Sequence, residues 1–501
     1  MAGSQKQKPE LEKAERRRAG SPARRTAVAI LAISFALAAS GCALTPRGLD
    51  DEKAALEAEG AALEHPVAEA DLPVPRDGDD WRGLLRRALV ANGEVRAAWF
   101  EWKAAVERVT GASAWPNSNL SLGYSYTFSD DKVKTFDRMT FNAAFDSMEN
   151  LSFPGKTMAA GRSALAEARS SGEKFRAAKF SVQRRVLDAW LDFALAAENE
   201  RIAVERQALA SVQTSAAEAE LTTGASQKGA AAAQIAAARS DDELRKALAA
   251  AEEARQMLAA LVDIADADRL QSPRRLPDAR PLPADPSVLV AAAAQGPETR
   301  QMEADAKSRQ GSEDLAKLQW VPDVNPVLSI AGGVSQAVGA AVVLPTSFIE
   351  IRSGIAAAKA LRRGAEARAM QTARDKRAEM AAALVAARDD GRAREHLEQR
   401  ILPLAGVAVD AAESGYRSGA GTLSDIVEAR TMALDVRAEI AEASVAREKQ
   451  LSAIEEIAGA DLETFTGTPP LRFASAAVAT ASSTGAVPVA APAAAVAEKS
   501  R

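Results

Sequence analysis

The chain has 501 residues, 26% of them charged and only 4% aromatic, with a net charge of −5. That balance is too small to select a nucleic-acid partner, and no dense basic face stands out beyond residue 25. One cysteine, Cys42, and two histidines, His65 and His396, exclude an internal disulfide and a Cys/His metal cage. The supply of Ala, Glu, Lys, Leu and Arg favours long helices, and the counts together point away from most enzyme classes.

Arg16-Arg17-Arg18 and Arg24-Arg25 form a basic region, followed over residues 26–39 by an apolar run that ends in Ala39-Ser40-Gly41-Cys42. The run is too short for a comfortable membrane span and ends in small residues, the pattern of a cleaved export signal over residues 1–41. An uncleaved anchor helix is the alternative. The basic region is longer than usual, which leaves open whether Met1 is the true start. Small residues before the only cysteine resemble a bacterial lipobox, with Ala39 where leucine is usual, and the resemblance implies lipidation at Cys42. One lipid chain anchors weakly, so a second membrane element is expected. Residues 42–80 are acidic, Ala-rich and broken by Pro66, Pro73 and Pro75, and read as an extended linker.

Residues 81–262 read as the first of two copies of one unit. Leu84, Leu85, Leu89, Val95, Trp99, Trp102 and Val106 recur at helical spacing over residues 81–114, and Trp115-Pro116 stops the helix. The period then changes to two. Leu120, Leu122, Tyr124, Tyr126 and Phe128 alternate with small polar residues, and after a Ser129–Lys132 turn Met139, Phe141, Ala143 and Phe145 do the same. Two readings are open: a half-buried hairpin on a soluble core, or two barrel strands with Leu122, Tyr124, Tyr126, Phe128, Phe141 and Phe145 facing lipid. Gly155-Lys156-Thr157 looks like the end of a phosphate loop, but Asn150 stands where that loop needs glycine. From Thr157 a helical pattern runs to about Leu221, roughly 100 Å at 1.5 Å per residue. A turn around Gly224 and Gly229 and a return helix to about Val262 complete the copy.

A Pro-rich connector (263–286) leads to the second copy, residues 287–464. A helix over 287–319 ends at Trp320-Val321-Pro322, and a hairpin over 323–344 turns at Ser335-Gln336-Ala337. Its alternation is less clean, with Val327 and Val343 opposite Leu328, Ile330, Val342 and Leu344, so its assignment rests on its position. A helix of about 70 residues to Ser418, a turn through Gly419 and Gly421, and a return from Leu423 to about Gly459 follow, again about 100 Å long. Residues 465–501 are an aperiodic Ala/Ser/Pro tail, expected to be disordered.

Written twice behind a lipobox, this order of helix, two strands, long helix, glycine turn and return helix resembles the TolC-like outer-membrane efflux family over about residues 81–462. Trp115-Pro116, Val321-Pro322, Pro154, Pro345 and the Tyr416-x-x-Gly419 turn carry the likeness. It implies a mixed α and transmembrane β fold: a long α-helical coiled-coil barrel continuous with an outer-membrane β-barrel, four strands per protomer and twelve per trimer. The implied function is a passive exit duct of a tripartite efflux or type I secretion system. Its implied partners are two further copies, a periplasmic adaptor, an inner-membrane pump of RND or ABC type and outer-membrane lipid, with no cofactor and no nucleic acid. Asp425 and Glu428 match the family's acidic pair at the periplasmic aperture, although both also read as ordinary first-turn helix acids. Gly421 stands where some relatives carry a gating arginine. Leu221, Gly224, Tyr416 and Gly419 match the tip turns that dock the adaptor.

The physics alone asks for neighbours. Four strands per chain leave open edges, which lipid does not tolerate, so a cyclic oligomer is required. The runner-up is a lipid-anchored periplasmic coiled-coil scaffold or adaptor, but the all-β module an adaptor carries between its helices is not apparent.

Overall fold

The computed structural model describes residues 44–60, 62–64, 78, 81–114, 118–126, 139–147, 153–222, 227–331 and 335–466. The first copy comprises α2 (Trp81–Ala91), α3 (Gly93–Ala112), β1 (Ser118–Tyr126), β2 (Met139–Ser147), α4 (Pro154–Thr222) and α5 (Gln227–Leu261). The second repeats the order with α6 (Ser287–Ala293), α7 (Pro297–Leu318), β3 (Asp323–Ala331), β4 (Ser335–Val343), α8 (Phe348–His396), α9 (Leu402–Arg417) and α10 (Leu423–Ala458). Ahead of both copies stands α1 (Leu49–Gly60).

Helix α4 holds for 69 residues because its sequence contains no proline after Pro154 and is dominated by strong helix formers. Its counterpart runs from α8 through a π-helical segment, Leu397–Ile401, into α9. Pro403 explains the interruption: it offers no N–H to the preceding turn, and the wider π turn lets the helix continue. The two shorter helices expected over 81–114 and 287–319 are each divided. Asn92 accepts from the backbone N–H of Glu94 (2.9 Å) and Val95 (3.2 Å) and so starts α3 afresh. Gly296-Pro297 does the same for α7, with proline in its favoured first-turn place.

The extended linker expected over 42–80 is corrected by α1. Leu49, Leu56 and Leu63 recur every seven residues and are buried against the α3 tryptophans. Trp102 Nε1 donates to Glu52 at 3.0 Å, Trp99 Nε1 donates to the Leu56 carbonyl at 3.4 Å, and Lys179 pairs with Glu59 at 2.8 Å. Acidic, Ala-rich composition concealed this leucine line.

α4 is the spine: α3, α5, α7 and α10 all pack on it, while α8 packs on α7 and α10. In the half nearer the strands the order is α3-α4-α7-α8; in the other half it is α5-α4-α10-α8. α10 and α7 meet end to end, where Gly459 (φ +64°) closes α10 against Pro297. One core gathers Trp99, Trp102, Phe175, Val186, Trp190 and Phe193; the other gathers Leu289, Met380, Leu384, Leu451 and Ile454.

The strands pair antiparallel in the order β1-β2-β3-β4. Paired residues share a face, so Leu120↔Phe145, Leu122↔Ala143, Tyr124↔Phe141, Tyr126↔Met139, Phe145↔Leu328 and Ala143↔Ile330 place the large apolar residues of β1 and β2 on one face with Leu328 and Ile330 of β3, while Val327 and Val343 fall on the other. Ser121, Gly123, Ser125, Asn142 and Ser329 share that second face. Ser335-Gln336-Ala337, read as a turn, lies in β4 opposite Ala331, Ile330 and Ser329. Phe128 lies outside the described residues. At the foot of the sheet Asp323 accepts from the Phe153 N–H (3.2 Å) and Lys156 Nζ (2.7 Å), sewing the two copies together.

The connector crosses the second copy on a buried ion cluster. Arg280 Nε donates to Glu448 at 2.8 Å and its Nη1 to Glu455 at 2.8 Å, while Arg447 holds the Arg280 carbonyl at 2.6 Å. Burial pushes the Glu455 carboxyl up, against the pull of Arg280. Arg280→Met would leave the buried Glu455 without a cation and Glu448 with Arg447 alone, and a loss of about 3 kcal/mol is expected, read as a lower thermal midpoint. Glu313, almost fully buried between α7 and α8, is held by Lys317 (2.8 Å) and Arg362 (2.6 Å). These hydrogen bonds, that of Lys317 foremost, pull its carboxyl down to about 2. A depressed pKa stabilises the fold above the unfolded value of roughly 4.3 and ceases to do so as pH falls towards 2. Glu313→Gln should therefore lower the thermal midpoint at pH 7 and converge with the parent as the pH is taken down through that window.

Candidate functional site at the hairpin tip

The second hairpin turns through hydrogen bonds that close α9 and open α10. The Ala420 and Gly421 N–H groups donate to the Gly415 carbonyl at 2.9 and 3.0 Å, and Gly419 turns the chain at φ +77°, a conformation that favours glycine. Thr422 then caps α10 reciprocally with Asp425. The Thr422 N–H donates to Asp425 Oδ2 at 2.7 Å, and the Asp425 N–H donates to Thr422 Oγ1 at 3.3 Å. The bond from the Thr422 backbone holds the Asp425 carboxyl below its ordinary range. Asp425 is thus a charged capping residue, with its carboxylate turned back on the backbone. Glu428 is exposed one turn on, along the same flank of α10.

Tyr416 is half exposed, and the space around Gly419 is open. Leu221 is exposed at the end of α4; Gly224 and Cys42 lie outside the described residues. The two tips do not form one cluster. Gln213 Nε2 reaches Ser424 Oγ at 3.4 Å, so α4, continuing to Thr222, projects on the order of 10 Å past the start of α10. Below the tips the hairpins are joined by Arg206 to Asp435 and by Arg437 to Glu205 (3.0 Å) and Glu198 (3.3 Å). Sequence reasoning missed Glu413, which takes Arg430 at 2.8 Å from across the turn and Arg417 at 3.7 Å from its own helix. Arg430 is the first cause of the lowered Glu413 carboxyl. The Glu413–Arg417 spacing was the available signal; the partner on α10 had none.

Among the described residues no group of three or more His, Cys, Asp or Glu could hold a metal ion, and no helix is long and apolar enough to cross a membrane.

Two copies of a β-hairpin between a short and a very long helix, sharing one sheet and one helical layer, define the fold of the TolC-like outer-membrane channels. The chain superposes on the outer membrane protein VceC of Vibrio cholerae with a TM-score of 0.63 at 18% identity, covering 76% of this chain and 97% of that one. The CmeC outer membrane channel of Campylobacter jejuni gives 0.62 at 15% identity, over 79% of this chain and 91% of that one. The open state of the Neisseria gonorrhoeae MtrE outer membrane channel gives 0.59 at 18% identity, over 76% and 89%. Comparison of the sequence with protein-family models and with curated proteins finds no match. The likeness is one of fold.

If the Thr422–Asp425 box starts α10, Thr422→Ala removes about 1 kcal/mol locally. Amide exchange in the first turn of α10 should then quicken about fivefold, with the helix beyond Ala429 unchanged.

Proposed function

We propose that the chain is one of three subunits of an outer-membrane exit duct, which passively conducts substrates delivered by an inner-membrane pump through a periplasmic adaptor. The observation that carries this reading is a matched pair of open edges. The sheet ends in β1 and β4, and the helical layer ends in α3 and α5 on one side and α8 with α9 on the other. The helical edges expose Leu361, Met370, Val385, Leu404 and Val407 on one side, and Ile235, Leu248 and Met257 on the other. A contact of one edge with the opposite edge of the next copy, repeated by rotation, closes sheet and helices together. Three copies give twelve strands, with the apolar face of the sheet turned to lipid.

The N-terminus supports a lipid anchor at Cys42. The Leu44 N–H donates to the Ser113 carbonyl at 2.9 Å, at the end of α3 that leads into β1. An acyl chain just upstream would start beside the sheet. The outer membrane is accordingly the proposed location, and the names of the similar structures, outer-membrane channels, agree with it.

At the far end, Asp425 and Glu428 repeated by symmetry would ring the aperture and favour cations. Leu221, Gly224, Tyr416 and Gly419 would dock the adaptor at two heights, one for each hairpin.

The test is single-channel conductance of detergent-purified protein in a planar bilayer, comparing the parent with Asp425→Ala/Glu428→Ala. Small cation-selective steps that widen and lose selectivity in the double variant are expected. Steps unaffected by the substitutions would remove the aperture assignment, and protein that stays soluble without detergent and never inserts would remove the duct.

A further inference from the structure

One face of α8 carries six cations that the duct reading leaves unused. Arg352, Lys359, Arg363, Arg374, Arg377 and Arg388 are all exposed, and none has a side-chain partner among the described residues. At about 100° per residue they fall within roughly 40° of one line along the helix. The α8 residues buried against α7 and α10, such as Ile351, Ala369, Met380 and Ala387, lie about 100° around from that line.

The side of the layer on which this stripe lies follows from α7. Glu298 and Glu313 of α7 face α8, where they meet Lys376 and Arg362. On the side towards α4 the Gln301 and Ser308 carbonyls accept from the Ser170 and Ser163 hydroxyls, and Gly311 lies against Ser163. Between those directions Arg300 and Lys307 line a groove that Glu52 and Ala55 of α1 also line. Because α8 runs antiparallel to α7, a turn of 100° from its buried face brings the stripe to the side that carries α1.

Height follows from the same pairs. Lys376 meets Glu298, within a turn of Gln301, which meets Ser170; α1 spans the same height, with Glu52 near Arg169 and Glu59 on Lys179. Arg374 and Arg377 therefore stand level with the middle of α1. The flanks of α1 differ. Glu52, Ala55 and Glu59 are turned towards α4 and α7, whereas Asp50 and Glu57, seven residues apart on the opposite flank, are exposed and have no side-chain partner among the described residues. That opposite flank overhangs α3, the edge that meets α8 of the next copy in the proposed ring.

We propose that α1 is an intersubunit clasp: Asp50 and Glu57 of one copy engage Arg374 and Arg377 on α8 of the next. The N-terminal segment then fastens a neighbour as well as capping its own core. The proposal rests on the ring reading and adds the residues that lock it on the face bearing α1.

Two measurements on the full-length, detergent-purified protein test it, with light scattering to report the oligomer. In Glu57→Cys/Arg377→Cys a short bismaleimide should yield covalent species up to the trimer, which neither single variant gives. In Arg374→Glu/Arg377→Glu, exchange of subunits between labelled oligomers should quicken about tenfold, and adding Asp50→Lys/Glu57→Lys should return it towards the parent rate. Intact trimers with no cross-link and unchanged exchange would overturn the clasp, keep the ring, and leave the stripe free for another anionic surface. A parent protein that is monomeric in detergent would overturn the ring and the clasp with it.

Discussion

A single uninterrupted helix, α4, is the constraint on which the rest of the molecule depends. Both copies are referred to it: α3 and α5 of its own copy pack along it, and so do α7 and α10 of the other. A chain duplicated in sequence could have folded as two units on a hinge. Here the second copy lies along the same 69-residue helix as the first, and polar pairs spaced down its length set the relative height of the two. Arg184 to Glu456, Asp188 to Ser452 and Asp192 to Lys449 descend α4 while ascending α10, so a slip by one turn would break all of them together. Height and register are thereby passed from the sheet end to the tips.

The architecture was legible because its signals are long. A helix of about a hundred ångströms and a strict period of two in β1 and β2 leave few alternatives. The short interruptions were not legible. Asn92 and Gly296-Pro297 are ordinary residues in helical text, and their effect on the backbone depends on what the neighbouring helices allow. α1 was missed because three leucines seven residues apart are diluted by acids and alanines. The basic stripe of α8 was missed for the same kind of reason: six cations spread over thirty-seven residues form no run, and only helical winding gathers them. At the tip, the glycine turn was readable, but the reciprocal cap that occupies Asp425 depends on the geometry of Thr422.

Charge is distributed in this molecule by depth. Along the α4–α10 seam and under the connector, cations and carboxylates are paired, and Arg280 is enclosed with two glutamates. The Arg280 pairs contribute position more than energy, because both partners have been taken out of water, and the half-exposed seam pairs contribute little energy because water screens them. At the layer's edges the cations of α8 and the flank acids of α1 are left open. Unpaired charge at an edge favours opposite charge on an approaching copy and repels its like, which selects one sense of association over the reverse.

The π-helical segment at Leu397–Ile401 occurs in α8–α9, while the corresponding length of α4 is α-helical throughout. A π turn absorbs an extra residue, so everything below it is rotated by about 100° relative to an unbroken helix of the same sequence. The π turn thus sets the rotation in which α9 reaches its tip, a rotation that an unbroken helix would not give. In a ring of the proposed kind neighbouring hairpins would differ in reach, and three copies would present three equivalent positions at the tip where the repeated sequence alone points to six.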